Sequence, residues 1–275
     1  MDERPIEIMV NEKHRTVERG TTVGDLRDLV EPGADVLVVN GYPSGTADKL
    51  NEGDKVVLIR RGAIPGKDEL EVLMAARHTP HVHDRMKRSV AGVAGLGGLG
   101  SNVAVYLARM GVGKLILADF DVVEPTNLNR QHYAVDHIGM AKTAAMGSII
   151  AAINPYIEVV LHQTALDRDN IPEVFREAQV IVECFDGAQA KAMILATVAE
   201  LLPDAYIIGA SGLAGYGESN KIQTMQLGER VFMVGDLTTD ARPGRGLMAP
   251  RVAIAAGHQA NMAVEILMNM VQREE

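Results

Sequence analysis

Six residues, Gly95-Leu96-Gly97-Gly98-Leu99-Gly100, constrain this chain more than any others. They follow the apolar run Val90 to Ala94, which reads as a strand, and they open a helical pattern. Glycines at a strand-to-helix junction permit a tight turn and close backbone approach, and the free N–H groups of the following helix point at a phosphate. Asp119 ends the next strand candidate, Leu115 to Ala118, about twenty residues further on. A carboxylate in that place accepts hydrogen bonds from the ribose hydroxyls of a nucleotide. Loop and carboxylate together fit either NAD or ATP.

The chain around this motif alternates strands with helices. Val90 to Ala94, Leu115 to Ala118, Glu158 to Leu161, Val180 to Val182 and Tyr206 to Ile208 are the strand candidates, and helical patterns separate them. That order predicts an α/β domain with a doubly wound, Rossmann-like, mostly parallel sheet over residues 89–275. The first 62 residues read differently. Ile6 to Val10, His14 to Val17, Val36 to Val39 and Lys55 to Ile59 are strands, Val23 to Leu29 is a helix with Thr22 as its N-cap, and Asn11-Glu12, Gly20-Thr21, Pro32-Gly33 and Asn40-Gly41 supply turns. This is the layout of a small α+β domain of the β-grasp, ubiquitin-like kind. Residues 63–88 then read as a Gly- and Pro-bearing linker and a helical stretch that Asp68 caps and that runs to about Arg77.

Composition narrows the function classes. A formal net charge of -9 without clustered Lys or Arg argues against a nucleic-acid-binding surface. The apolar stretch Val252 to Val271 carries His258, Gln259, Asn261, Glu265 and Asn269, so it reads as a buried helix of a soluble protein rather than a membrane span. The N-terminus, Met1-Asp2-Glu3-Arg4, lacks a signal-peptide pattern, and a single cysteine, Cys184, forms no intrachain disulfide. A cytoplasmic protein is the expectation.

The stretch Asp119-Phe120-Asp121-Val122-Val123-Glu124-Pro125-Thr126-Asn127-Leu128-Asn129-Arg130-Gln131 separates the two nucleotides. Hydride transfer has no need of it. Adenylation does, because attack of a carboxylate on the α-phosphate of ATP builds negative charge that preorganised cations and amides stabilise. At this point the sequence resembles the ubiquitin-activating-like adenylyltransferases of the ThiF, MoeB and HesA group, and among them the ThiF forms with a ThiS-like domain fused in front. The resemblance rests on the glycine loop with Ser101-Asn102, Asp119-Phe120-Asp121, Asn127-Leu128-Asn129-Arg130-Gln131, Gly139-Met140-Ala141-Lys142, Ile153-Asn154-Pro155 and Glu183-Cys184-Phe185-Asp186.

The resemblance implies that ATP is bound by Gly95, Gly97, Gly98 and Gly100 together with Asp119, Asp121, Asn127, Arg130, Gln131 and Lys142. Within that set it assigns Asp119 to the ribose, Asn127 and Arg130 to the phosphates, and Lys142 to the α-phosphate. It implies Mg²⁺ at Asp186, placed at the end of a strand, and a homodimer in which the helix before the glycine loop donates an arginine to the neighbouring protomer. Arg77 is the choice among Arg77, Arg85 and Arg88, which makes Arg130, Lys142, Asp186 and Arg77 the catalytic set. Relatives usually place Asn after the metal-binding Asp, where this chain has Gly187.

The two CxxC pairs with which many relatives bind zinc are lacking, so no zinc is expected, and His78, His81 and His83 read as solvated or packing residues. Cys184 lies in an apolar run and reads as a small buried hydrophobe, so the reaction is expected to stop at the acyl-adenylate. Gly209 to Gly217 is taken to follow the last parallel strand. It reads equally as a narrow track for a Gly-Gly tail or as a side-chain-poor loop. Arg245 and Arg251 receive no role.

The implied partner is a ThiS-like sulfur-carrier protein whose C-terminal Gly-Gly carboxylate is adenylated for thiamine thiazole biosynthesis. A MoaD-like carrier and a non-catalytic scaffold for nucleotide and carrier are the alternatives. An NAD-dependent oxidoreductase would leave Arg130, Lys142 and Asp186 without work. The front domain is not expected to be a substrate itself, because after its last strand the chain reads Ile59-Arg60-Arg61-Gly62-Ala63-Ile64-Pro65-Gly66, with no paired glycines and no free end.

Overall fold

A computed structural model describes residues 4–270 of the chain. Met1 to Glu3, three of the four residues read for a signal sequence, and Val271, the end of the apolar stretch, lie outside the described residues. The chain divides into two compact units after Pro80.

The first unit contains β1 (Ile6–Val10), β2 (Lys13–Val17), α1 (Val23–Val30), β3 (Val36–Val39), β4 (Tyr42–Pro43), β5 (Lys55–Ile59) and α2 (Lys67–His78). The sheet order is β2-β1-β5-β3-β4, with β1 and β5 parallel at the centre and the other pairs antiparallel. Period-2 patterning drives this sheet. Ile6, Ile8 and Val10 of β1 and Val56 and Leu58 of β5 point inward, where Val23 and Leu26 of α1 cover them. Thr22 does cap α1, as the sequence predicts. Its hydroxyl accepts the Asp25 amide at 3.1 Å, and the Asp25 carboxylate accepts the Thr22 amide at 3.0 Å. Asn11 and Asn40 both hold positive φ in the predicted turns.

Two sequence expectations need correcting here. The hairpin strand β4 was not foreseen, because two residues, one of them proline, carry no strand periodicity. Asp68 is not the cap of α2 but lies in its first turn; the capping position is Gly66, which has no side chain to offer.

The second unit begins within α3 (Pro80–Lys87) and continues through β6 (Val90–Ala94), α4 (Gly98–Met110), β7 (Lys114–Ala118), α5 (Lys142–Ile153), β8 (Glu158–His162), α6 (Ile171–Val174), β9 (Val180–Glu183), α7 (Ala188–Leu201), β10 (Tyr206–Ala210), β11 (Gln223–Gln226), β12 (Val231–Gly235) and α8 (Ala249–Asn269). The sheet order is β11-β12-β10-β9-β6-β7-β8. All pairs are parallel except β11 with β12. Central strands such as Val180–Glu183 are buried along their whole length, as expected where helices cover both faces. One face packs on α4, α5 and α8 through Val103, Leu107, Met146, Ile150, Val252 and Ala256. The other packs on α6 and α7 through Ile171, Phe175, Ile194 and Val198.

The strands β11 and β12 were not foreseen, and they overturn one expectation. Gly209 and Ala210 belong to β10, and β10 is not the last parallel strand, because β12 pairs parallel to it. The apolar stretch near the C-terminus forms α8, with Val252, Ala255, Ala256, Ala263 and Leu267 on its buried face. Among the described residues no helix is long and apolar enough to cross a membrane.

Strand order reverses between β6 and β9: the chain leaves β6 toward β7 and β8, then returns to β9 on the other side. In open parallel sheets ligands bind outside the carboxyl ends of the strands at such a switch point. The glycine loop follows β6, and Cys184 to Gly187 follow β9.

Candidate active site

The loop after β6 is shaped by its glycines. Gly95 holds φ +88°, and a Cβ on Gly100 would fall 1.8 Å from the Gly95 carbonyl oxygen, so the first turn of α4 can close onto the loop only with glycine there. The N-cap of α4 is Gly97, without a capping side chain, and its N–H makes no hydrogen bond among the described residues. An uncapped helix start is a ready anion site.

Asp119 stands directly after β7, buried, with both oxygens engaged. One accepts the Leu96 amide at 2.6 Å and the other the Asp121 amide at 2.7 Å. The carboxylate therefore braces the glycine loop, with its second lone pairs left for a ligand. The segment that follows lies against the loop. Asn102 donates to the Gly98 and Arg130 carbonyls at 2.7 and 3.3 Å, the Ser101 hydroxyl accepts the His132 amide at 3.0 Å, and the Tyr133 hydroxyl donates to the Leu96 carbonyl at 2.9 Å.

This packing leaves polar groups without partners. Among the described residues the Nε of Arg130 and the Oε1 of Gln131 are buried with no hydrogen bond, while Arg130 Nη1 reaches the Thr126 carbonyl and Asn129 at 3.2 and 2.8 Å. The unsatisfied Arg130 donor beside an uncapped helix start fits an anionic ligand, whereas the Gln131 oxygen calls for a donor such as a hydroxyl or amino group. Asn127 is buried, and its Oδ1 accepts the Glu124 amide at 3.0 Å, so it shapes the turn that presents Arg130. Lys142 begins α5 with its side chain buried, an unfavourable place for a cation beside a helix N-terminus. Asp121 offsets it at 2.7 Å.

Asp186 does not end a strand, as the sequence reading had it. β9 stops at Glu183, and Asp186 sits in the loop before α7, exposed and without a hydrogen bond or ion pair among the described residues. The loop is anchored by Glu183, which the sequence reading quoted in a motif without giving it a role. Its fully buried carboxylate accepts the Phe185 amide at 2.7 Å and pairs with Lys191 at 2.9 Å. Burial pushes this carboxyl up, and the Lys191 ammonium offsets part of the rise. A carboxylate inside an apolar strand was the available signal. Gln259 of α8 was missed as well: its amide donates to the Glu183 carbonyl at 2.9 Å.

Arg77 is exposed on α2 of the first unit, and Arg85 gives its Nε to the Leu267 carbonyl at 2.8 Å. Cys184 is buried, 3.9 Å from Gln259 Oε1, and burial pushes its thiol well above its ordinary value. His83 is buried, with neither ring nitrogen bonded among the described residues. Among the described residues no three His, Cys, Asp or Glu side chains gather to hold a metal ion.

The glycine-rich stretch after β10 is tied down by the arginine left without a role. Arg251, buried at the start of α8, donates to the Gly217 carbonyl at 2.5 Å and to Asp236 at 2.6 Å. Burial would raise the Asp236 carboxyl, but hydrogen bonds from Thr239 and Thr238 outweigh it and hold the group at about 2.

The switch-point loop, the uncapped start of α4 and the buried, unbonded Arg130 Nε mark the carboxyl edge of a doubly wound α/β domain that follows a ubiquitin-like β-grasp domain in the chain. The chain belongs to the ThiF family, which matches residues 72–275, and residues 6–62 match ThiS-like ubiquitin. Among curated proteins it is 36% identical over 111 residues to the probable adenylyltransferase/sulfurtransferase MoeZ of Mycobacterium tuberculosis, covering 40% of this chain and 28% of that protein. It is 28% identical over 224 residues to ubiquitin-like modifier-activating enzyme 5 of Culex quinquefasciatus, covering 76% and 55%. The chain thus spans about a quarter to a half of the length of these relatives. Among solved structures it is similar to the E. coli tRNA N6-threonylcarbamoyladenosine dehydratase TcdA in complex with ATP, with a TM-score of 0.67, 22% identity, and 75% and 97% of the two chains covered. It also resembles E. coli MccB bound to MccA-N7isoASN, with a TM-score of 0.54, 23% identity, and 73% and 62% covered. Those two likenesses bear on the fold.

Proposed function

We propose that the chain is an ATP-dependent adenylyltransferase that activates the C-terminal Gly-Gly carboxylate of a ThiS-like sulfur carrier. The observation that carries this is the cation and amide set at the switch point: the free Gly97 N–H, the buried unpartnered Arg130 Nε, and Lys142 held by Asp121. A carrier carboxylate oxygen attacks the α-phosphorus of ATP, the bond to the β-phosphate oxygen breaks, and acyl-adenylate and pyrophosphate result. Arg130, with Asn127 behind it, stabilises the leaving pyrophosphate, Lys142 the α-phosphate, and Asp119 holds the ribose. Asp186, a hard-oxygen ligand without a partner among the described residues, would hold Mg²⁺, which would supply charge neutralisation for the phosphates. A homodimer supplying Arg77 across its interface, a cytoplasmic location and a role in thiamine thiazole synthesis complete the reading. Carrier-dependent exchange of labelled pyrophosphate into ATP tests it, and its absence with every Gly-Gly carrier supplied would overturn it. The carrier has to be added separately, because the chain of the front domain runs on from β5 into α2 and has no free carboxylate there.

The buried thiol takes no part in this chemistry. Cys184→Ala is expected to leave carrier adenylation within about 2-fold of wild type while lowering stability by about 1 kcal/mol, the usual size of a small core truncation. Mass spectrometry of trapped intermediates checks it, and a thioester on Cys184 would refute the proposed end point.

A further inference from the structure

We propose that Tyr133 is a positioning residue that aims the Gly97 amide at the nucleotide phosphates, a role that rests on the nucleotide reading above. Tyr133 is 7% exposed, and its hydroxyl donates to the Leu96 carbonyl at 2.9 Å. The Leu96 N–H is held on the other side by Asp119 at 2.6 Å. Both polar groups of Leu96 are therefore fixed by side chains from outside the loop.

The peptide unit is planar and trans, so the Leu96 carbonyl and the Gly97 N–H point in opposite directions, and fixing one fixes the other. Leu96 lies between Gly95 and Gly97, which offer little steric resistance to a peptide flip. The restraint must come from elsewhere, and the phenol supplies it. The Gly97 N–H, turned away from Tyr133, has no partner among the described residues. A phosphate oxygen would complete it. Burial, then Asp119 and Asp121, push the phenol's ionisation up, so the hydroxyl remains a donor across the working pH range. The ring itself packs edge-on to His137 with centroids 6.3 Å apart, a contact that phenylalanine would keep.

The test is Tyr133→Phe in the full chain, with AMP and adenosine titrated separately by calorimetry and a thermal melt alongside. The loss of one aimed hydrogen bond weakens AMP by about 5- to 10-fold and leaves adenosine unchanged. Unchanged AMP affinity would overturn the proposal, and so would an equal loss for both ligands, which marks a general packing role. If phenylalanine disturbs the fold, Tyr133→Leu, which also lacks the donor, gives the same comparison of AMP with adenosine. Failure of wild type to bind AMP or ATP would instead remove the nucleotide reading.

Discussion

Alanine at Asp186 or at Arg130 lowers carrier-dependent pyrophosphate exchange by about 100- to 1000-fold, the usual effect of deleting one group that stabilises transition-state charge. Stability is expected to change little in either variant, which makes the loss interpretable. Asp186 is exposed and has no hydrogen bond or ion pair among the described residues, so its removal breaks none of these. Arg130 already carries a buried Nε without a partner, and truncation removes that unsatisfied donor along with two hydrogen bonds to Thr126 and Asn129. Lys142 makes a poorer probe, because its loss leaves Asp121 uncompensated. Exchange kinetics and a thermal melt of each variant check the expectation. Near-normal exchange in folded Asp186→Ala removes the metal assignment, and near-normal exchange in folded Arg130→Ala removes the phosphate assignment.

The largest effect on stability is expected at Arg251. Its guanidinium and the Asp236 carboxylate are 6% and 7% exposed, and removing one partner of such a pair strands the other charge. Arg251→Ala should lower unfolding free energy by about 3 to 5 kcal/mol. Lysine should rescue it poorly, since one ammonium cannot reach Asp236 and the Gly217 carbonyl in the geometry of a planar fork. The same carboxylate sets an acid limit. Its folded value, about 2, lies below the ordinary 3.8, so it stabilises the fold above that ordinary value, and the stabilisation is lost as pH falls toward 2. The loss is about 2 kcal/mol, and Asp236→Asn should abolish that component of the acid transition. Urea melts from pH 6 down to about pH 2 measure it, and an unaltered acid slope in the variant would contradict the assignment.

The parts of this molecule that were legible in its sequence are the ones whose signals are local. The glycine loop, the Thr22 cap and the alternation in β1 each occupy a few adjacent residues. The strand β12 escaped because parallel strands were recognised by an intervening helix, and between β10 and β12 the chain supplies a loop with one three-residue 3-10 turn and the antiparallel β11. Gln259 was invisible for another reason. Its partner is the backbone carbonyl of Glu183, and a main-chain oxygen has no letter in the sequence. Arg251 sat in plain view, but nothing local says that Asp236 and the Gly217 carbonyl fold back to meet it. Tyr133 likewise reads as one more large apolar residue until the Leu96 carbonyl is placed beside its hydroxyl.

The strand order has a kinetic consequence. Ala91 of β6 pairs with Val180 of β9, so the chain must close a loop of about 90 residues before the two halves of the switch point meet. Pairings of high sequence separation form slowly, whereas β6, β7 and β8 lie in succession and can pair as they emerge from the ribosome. A nascent chain that has only β6 to β8 owns the glycine loop but not Asp186. The proposed phosphate-binding residues, which lie between β6 and β8, would then precede their metal carboxylate, and nucleotide held more tightly once Asp186 arrives would draw a slowly maturing chain toward the native state by mass action.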